Sequence, residues 1–154
     1  MITDSDMVTQ CLVLPGTLGG LISLYEANFI KLSSLVAGRG YGTGEFISCS
    51  QRDLDLHLSV EDGSRYTRLL RLTYIFSEAE GPVADPDLAI RVYLDARLAE
   101  VVGWADFHRH QVLASLAQQF GRELDRRWAR NMVLSKWLDY LLDNGHGFAV
   151  TCAR

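Results

Sequence analysis

Lysine is nearly absent from this chain. Lys31 and Lys136 are the only two, and every other basic residue is arginine. No apolar run approaches the length needed to cross a bilayer, which excludes a membrane-spanning helix. Cysteine is sparse: Cys11, Cys49 and Cys152 are odd in number and scattered, with no CxxC pair. That suggests neither a disulfide framework nor a cysteine-rich zinc site. Neither HExxH nor GxSxG occurs, so two common hydrolase signatures are missing. No internal repeat is present. The opening "MITDSDMVTQ" is acidic and no signal-peptide core follows it. Together these absences lead to the expectation of a reduced, cytoplasmic protein that does not enter a membrane.

What is present is ordinary globular material. The 154 residues are 48% hydrophobic and 22% charged, with a formal net charge of −4. That length and composition fit one domain with a core of its own, and the acidic balance argues against general affinity for nucleic acid. Residues 1–16 are expected to form a flexible N-terminal arm ending at Pro15-Gly16, with residues 17–154 a single α+β domain. Thr17 is a fair N-cap, and Leu18, Ile22, Tyr25, Phe29, Leu32 and Val36 trace one stripe of a helix that Gly38 can end. The loop "GRGYGTG" lacks the strand before it and the Lys-Ser/Thr after it that a phosphate loop needs, so it reads as a connector.

The period then changes to two. Leu54, Leu56, Leu58 and Val60 alternate with polar residues, and "RYTRLLRLTYIF" does the same, with "EDGS" as the turn between. An odd-numbered loop with a bulge at Gly63 keeps both apolar rows on one face, with Leu56 near Arg68 or Leu70. Phe46 to Ser50 is a further short strand, and "SEAEGPVADPD" reads as a polar connection closed by two prolines. In "AIRVYLDARLAEVVGW" a turn at Asp95-Ala96 sets Arg91 opposite Glu100 and Tyr93 opposite Leu98, although Ala96 is ill suited to positive φ. "QVLASLAQQF" is a short candidate helix. From Leu124, the residues Trp128, Leu134, Trp137, Leu138, Leu141 and Leu142 give a long helix capped by Asn144-Gly145. The predicted architecture is two-layer α+β: an antiparallel sheet packed against an N-terminal helix and a long C-terminal helix.

Four groups of residues carry possible chemistry. Asp106, His108 and His110 alternate in "DFHRH", and two histidines with a carboxylate form a known zinc or iron set, although solvated surface histidines are the commoner reading. Arg122, Arg126 and Arg130, with Arg127 beside them, form a basic ridge on a helix, suited to an acidic partner or a phosphate; a solvated face with a Glu123–Arg127 pair is the plain alternative. Arg91, Tyr93, Glu100, Tyr66 and Glu26 would line a pocket if one opens between sheet and helices. Asn28 and Asn131 lie at or inside apolar helix faces, so each must find a hydrogen-bond partner, most simply by pinning a helix to its neighbours.

"YEANF", "SRYTRLLRL", "IRVYLDARLAEV" and "NMVLSKWLDYLLDNG", in this order from about residue 18 to residue 147, resemble the YqiB-like family of small bacterial proteins, a domain of unknown function. The positions that carry the resemblance are Glu26, Asn28, Phe29, Arg65, Tyr66, Thr67, Arg91, Tyr93, Asp95, Glu100, Asn131 and Trp137. The resemblance implies a bacterial cytoplasmic protein and brings no activity, substrate or cofactor with it. Where the family pattern often has a histidine before Asp-Ala, this chain has Leu94.

The expectation is therefore a non-enzymatic binding or adaptor module that uses the arginine-rich helix face. Its partner would be an acidic protein surface or a phosphate-bearing ligand. No cofactor is implied, and a homo-oligomer is possible. The alternatives are a small-ligand protein or enzyme with a polar pocket, and a metalloprotein using Asp106, His108 and His110.

Overall fold

The computed structural model describes residues 17–103, 114–115 and 126–150. Helix α1 (Leu18–Leu35) is followed by strands β1 (Gly44–Ser48), β2 (Leu56–Asp62), β3 (Thr67–Glu78), β4 (Gly81–Tyr93) and β5 (Leu98–Gly103), and by helix α2 (Arg126–Asp143). The strands pair antiparallel in chain order, a five-stranded meander. Both helices pack on the same face of the sheet, which gives the α+β two-layer arrangement expected.

That inner face is a continuous apolar surface. Leu56, Leu58, Val60, Leu70, Leu72, Tyr74, Leu88, Ile90, Val92, Ala99 and Val101 meet Phe29, Leu32 and Leu35 of α1 and Leu134, Trp137, Leu138 and Leu141 of α2. The strict period of two sends the intervening residues to the other face, which neither of these two helices covers.

Helix α1 starts where the sequence indicates. The Thr17 hydroxyl accepts a hydrogen bond from the Gly20 amide at 2.9 Å, satisfying one of the free amides of the first turn. The buried face differs from the expected stripe. Leu18 and Ile22 are exposed, while Leu21, Leu24, Asn28, Leu32 and Leu35 are buried. The reason is the second helix: Leu21 and Leu24 pack on Trp128 of α2, which turns the helix toward that row.

Two buried asparagines hold these layers in register. Asn131 on α2 accepts the Val101 amide of β5 at 2.9 Å and donates to the Arg127 carbonyl at 2.8 Å. Asn28 on α1 donates to the Asn131 carbonyl at 3.1 Å. One residue thus fastens α2 to the sheet and to α1.

The turns follow the expected registers with three corrections. The β2–β3 connection is odd, as anticipated, but Leu56 lies opposite Tyr74 rather than Arg68 or Leu70, and Leu54 falls before the strand. Gly63 is required there because a Cβ would strike the Thr67 side chain. At the β4–β5 turn Arg91 faces Glu100 and Tyr93 faces Leu98, as read from the sequence. The positive φ falls on Arg97 (58°), so Ala96 is spared it.

The third correction is "SEAEGPVADPD", which is not a loose connection. It closes a long hairpin between β3 and β4, with Ser77 opposite Pro82 and Glu78 opposite Gly81. The prolines are tolerated because β5 pairs only with Ala89–Tyr93, so among the described residues this half of β4 has a strand on one side alone. The ladder also shifts between Leu72 and Tyr74, beside Pro86 and Asp87, where φ is 47° at Asp87. The peptide bond Asp85–Pro86 is cis.

Replacing Asn131 by leucine should strand the Val101 amide in an apolar environment. A loss of about 1–3 kcal/mol in urea unfolding is expected, the usual cost of one unsatisfied buried donor; an unchanged midpoint contradicts the pinning role.

Candidate functional site

Three groups of polar side chains stand out, and they differ in access. The first is buried. His146 follows the Gly145 cap of α2, where φ is 83°. Its Nδ1 lies 2.9 Å from the Ser48 hydroxyl and its Nε2 lies 2.9 Å from an Asp53 carboxylate oxygen. Ser48 also accepts the Gly147 amide at 3.0 Å. The neutral imidazole with its proton on Nε2 satisfies every one of these contacts: Nε2–H donates to Asp53 and Nδ1 accepts from Ser48.

The Asp53 carboxylate also accepts from the Tyr74 hydroxyl at 2.7 Å and the Tyr140 hydroxyl at 3.3 Å, and Trp137 Nε1 donates to Tyr74 at 3.2 Å. Burial first, and then the hydrogen bond to Asp53, hold the Tyr74 phenol far above its ordinary pKa of 10.0.

The order Ser48–His146–Asp53 matches that of an acyl-transfer relay, but geometry argues for another role. Ser48 and His146 are buried, and the Asp53 side chain is 2% exposed. A nucleophile must meet its substrate, and this hydroxyl is sealed. What the network does is fasten the β1–β2 loop and the segment after α2 to the sheet. The Phe148 amide adds to this by donating to the Leu35 carbonyl at 3.1 Å, and Arg39 Nε donates to the Phe148 carbonyl at 2.8 Å. Arg39 therefore anchors the glycine-rich loop, which agrees with its reading as a connector. Neighbouring Cys49 is disulfide-bonded, where the sequence suggested no disulfide framework and a reduced protein. The other two cysteines lie outside the described residues.

The second group stands on the outer face of the sheet. Here the sequence-predicted Arg91, Tyr93 and Glu100 come together, on the side away from the helices and not between the layers. The Tyr93 hydroxyl donates to Glu100 at 2.6 Å, and this bond raises the phenol pKa. Arg71 lies 3.4 Å from both oxygens of Asp87. Two shallow hollows, of about 580 and 600 Å³, flank that pair.

The third group is formed by two turns. The Leu94 amide donates to the Tyr66 carbonyl at 2.7 Å, which ties the β2–β3 turn to the β4–β5 turn. Arg65 lies over the Tyr66 ring at 5.3 Å and Arg97 lies over the Phe29 ring at 5.3 Å. Both arginines are exposed. Among the described residues neither has a carboxylate partner. Stacking fixes each guanidinium plane while leaving its N–H groups free to meet an anion. Seven of the positions that carry the family resemblance sit at or beside this end of the sheet: Arg65, Tyr66, Thr67, Arg91, Tyr93, Asp95 and Glu100.

The remaining sequence candidates are dispersed. Glu26 is exposed on α1, on the opposite side of the sheet from Arg91. Arg126 and Arg127 are exposed at the start of α2 and Arg130 is half-buried. Arg122, Asp106, His108 and His110 lie outside the described residues. Among the described residues no group of three metal-type side chains converges, and no helix is long and apolar enough to cross a membrane. Sequence reasoning missed Ser48, Asp53 and His146, which are separated by up to 98 positions and share no motif. It also passed over Arg65 and Arg97 as binding candidates; two arginines in two turns become a pair only once the register brings the turns together.

The raised Tyr74 pKa has a consequence for stability. The unfolded phenol loses its proton near pH 10 while the folded one keeps it, so the folded state binds more protons above that pH. Stability is therefore full below about pH 10 and falls as pH rises further. In an alkaline titration followed by tyrosinate absorbance, Tyr74 should ionise only as the chain unfolds, and Tyr74→Phe should reduce the tyrosinate released in that step. Asp53→Asn should also destabilise the fold, by about 1–3 kcal/mol in urea unfolding.

Comparison with known proteins adds a family and no activity. Residues 31–147 match the family described as "Protein of unknown function (DUF1249)". Relatives described as "Uncharacterized protein YqiB" occur in Escherichia coli strain K12, strain O6:H1 CFT073 and strain O157:H7. Each is 26% identical to this chain over 129 residues, covering 81% of this chain and 88% of the relative. No solved structure matches.

Proposed function

The chain belongs to the family of unknown function DUF1249, and from that premise and the geometry of its tied turns we propose that it is a non-enzymatic binding module for an acidic protein segment. The observation that carries this reading is the pair Arg65 and Arg97. Each guanidinium is exposed, stacked on an aromatic ring, and without a carboxylate partner among the described residues. The backbone bond between Leu94 and Tyr66 holds the two turns together, so less ordering is required when a ligand arrives. Arginine forks suit carboxylates, and two in one fixed arrangement suit a segment with closely spaced Asp or Glu.

The ridge of α2 is a second cationic surface, with Arg126 and Arg127 at its exposed start. It lies on the helix layer, so substitutions there serve as the comparison. The reading as a non-catalytic module rests on the sealing of the Ser48–His146–Asp53 network: the group with the residue types of a relay is closed to substrate.

A labelled Glu/Asp-rich peptide, titrated with the full chain at low ionic strength and followed by fluorescence anisotropy, should bind saturably. Arg65→Glu with Arg97→Glu should weaken binding at least about tenfold, and Arg126→Glu with Arg130→Glu should weaken it less. Inorganic pyrophosphate is the second probe: binding of pyrophosphate without binding of peptide replaces the acidic segment with a phosphate-bearing ligand. Binding of neither, or undiminished binding by the turn variant, contradicts the proposal.

A further inference from the structure

The outer face of the sheet is the largest feature not used above. Its rows follow from the registers. Glu61 lies opposite Leu69, Leu69 opposite Arg91, and Arg91 opposite Glu100. The next row runs Glu45, Ser59, Arg71, Ala89 and Gly103, and the one beyond it begins Ile47, His57 and Thr73, with Asp87 beside Thr73 at the bulge. Apolar and charged residues alternate across it. Ile47, Ile75 and Val102 are exposed, at 41%, 43% and 39%.

Charge on this face is divided from side to side. Glu45 and Glu61, carboxylates with no ion-pair partner among the described residues, stand on β1 and β2. The cation Arg91 stands on β4; its side chain hydrogen-bonds Tyr93, and it has no carboxylate ion-pair partner among the described residues. Its cross-strand neighbour Glu100 is instead engaged by the Tyr93 hydroxyl at 2.6 Å. Asp87 on β4 is held by Arg71, and His57 stands on β2.

A two-fold axis running along β3, in the plane of contact, lays β2 of one copy over β4 of the other without shifting the rows. It sets Glu61 against the partner copy's Arg91, and the reverse, giving two equivalent ion pairs. It sets His57 against Asp87 in the same way. Leu69 and Ile75 fall on the axis and meet their own counterparts. Arg71 also lies on the axis, but its bond to Asp87 draws each guanidinium toward β4, which is in opposite directions in the two copies. The small residues Ala84, Ala89 and Gly103 line the hollow beside Arg71 and leave room for the opposing side chains. This is the self-complementary pattern of an isologous interface, built by aligned packing of two sheets.

We infer that the outer face of the sheet docks a second copy of this chain, with Glu61 of each copy paired to Arg91 of the other. The surface is separate from the Arg65–Arg97 pair, so the two readings stand or fall independently.

Sedimentation of the full chain over a range of concentrations should show a monomer–dimer equilibrium. Arg91→Glu alone and Glu61→Arg alone each set like charges against each other, and each should weaken dimerisation at least about tenfold. The two substitutions in one chain restore opposite charges at both contacts and should recover the dimer. Far-UV circular dichroism and urea midpoints establish that each variant is folded. A wild-type chain that remains monomeric at every concentration overturns the inference. So does a dimer indifferent to both single substitutions, or a folded double variant that does not regain association.

Discussion

The pairing of β3 with β4 is the constraint on which the rest of this structure depends. These are the two longest strands, and their register decides which side chains enter the core and which face out. Shifting β4 by one residue against β3 would bring Arg91 inward and send Leu88, Ile90 and Val92 to solvent. The apolar cost of that exchange holds the register in place. At one end the pairing of Thr67 with Tyr93 brings two turns into hydrogen-bonding contact. In the middle it creates the irregularity at Thr73 and Asp87. On the outer face it lines up Glu61, Leu69, Arg91 and Glu100 in one row.

The two helices complete only half of what the sheet requires. Each is 18 residues long, and together they cover one face. Asn131 fixes their position by bonding to β5 while its carbonyl receives Asn28. Once this layer is in place, the outer face is left to a mixture of charged and apolar side chains. A face of that kind tolerates water. The tied turns present a different surface, where stacked arginines extend beyond the layers. The fold thus separates a buried half from an exposed one.

Much of this was legible in the sequence, where period and turn chemistry speak directly. The Thr17 cap, the Asn144-Gly145 end, the odd β2–β3 loop and the Arg91–Glu100 register all follow from local rules. Legibility ended where distant residues decide the outcome. The α1 stripe holds at Phe29, Leu32 and Val36 and fails at Leu18 and Ile22, because Leu21 and Leu24 have helical spacing as good and Trp128 on the other helix selects them. The "SEAEGPVADPD" hairpin was missed because Pro82 and Pro86 argue against a strand in general. They are acceptable here because β5 pairs with Ala89–Tyr93 and not with that stretch of β4. Ser48, Asp53 and His146 carry no periodic or motif signal, since three separate segments must fold before they meet. Arg65 and Arg97 were hidden for the same reason, although the polar character of their neighbours Tyr66, Tyr93 and Glu100 was noticed.

The central claim is that the tied turns form the acidic-partner surface. Backbone amide NMR spectra of the isotope-labelled full chain, recorded with and without a Glu/Asp-rich peptide, test it residue by residue. The account predicts that shifts concentrate at Arg65, Tyr66, Leu94 and Arg97, with α2 and the inner strands unchanged. Shifts confined to the first turn of α2, or an unchanged spectrum at saturating peptide, would contradict it.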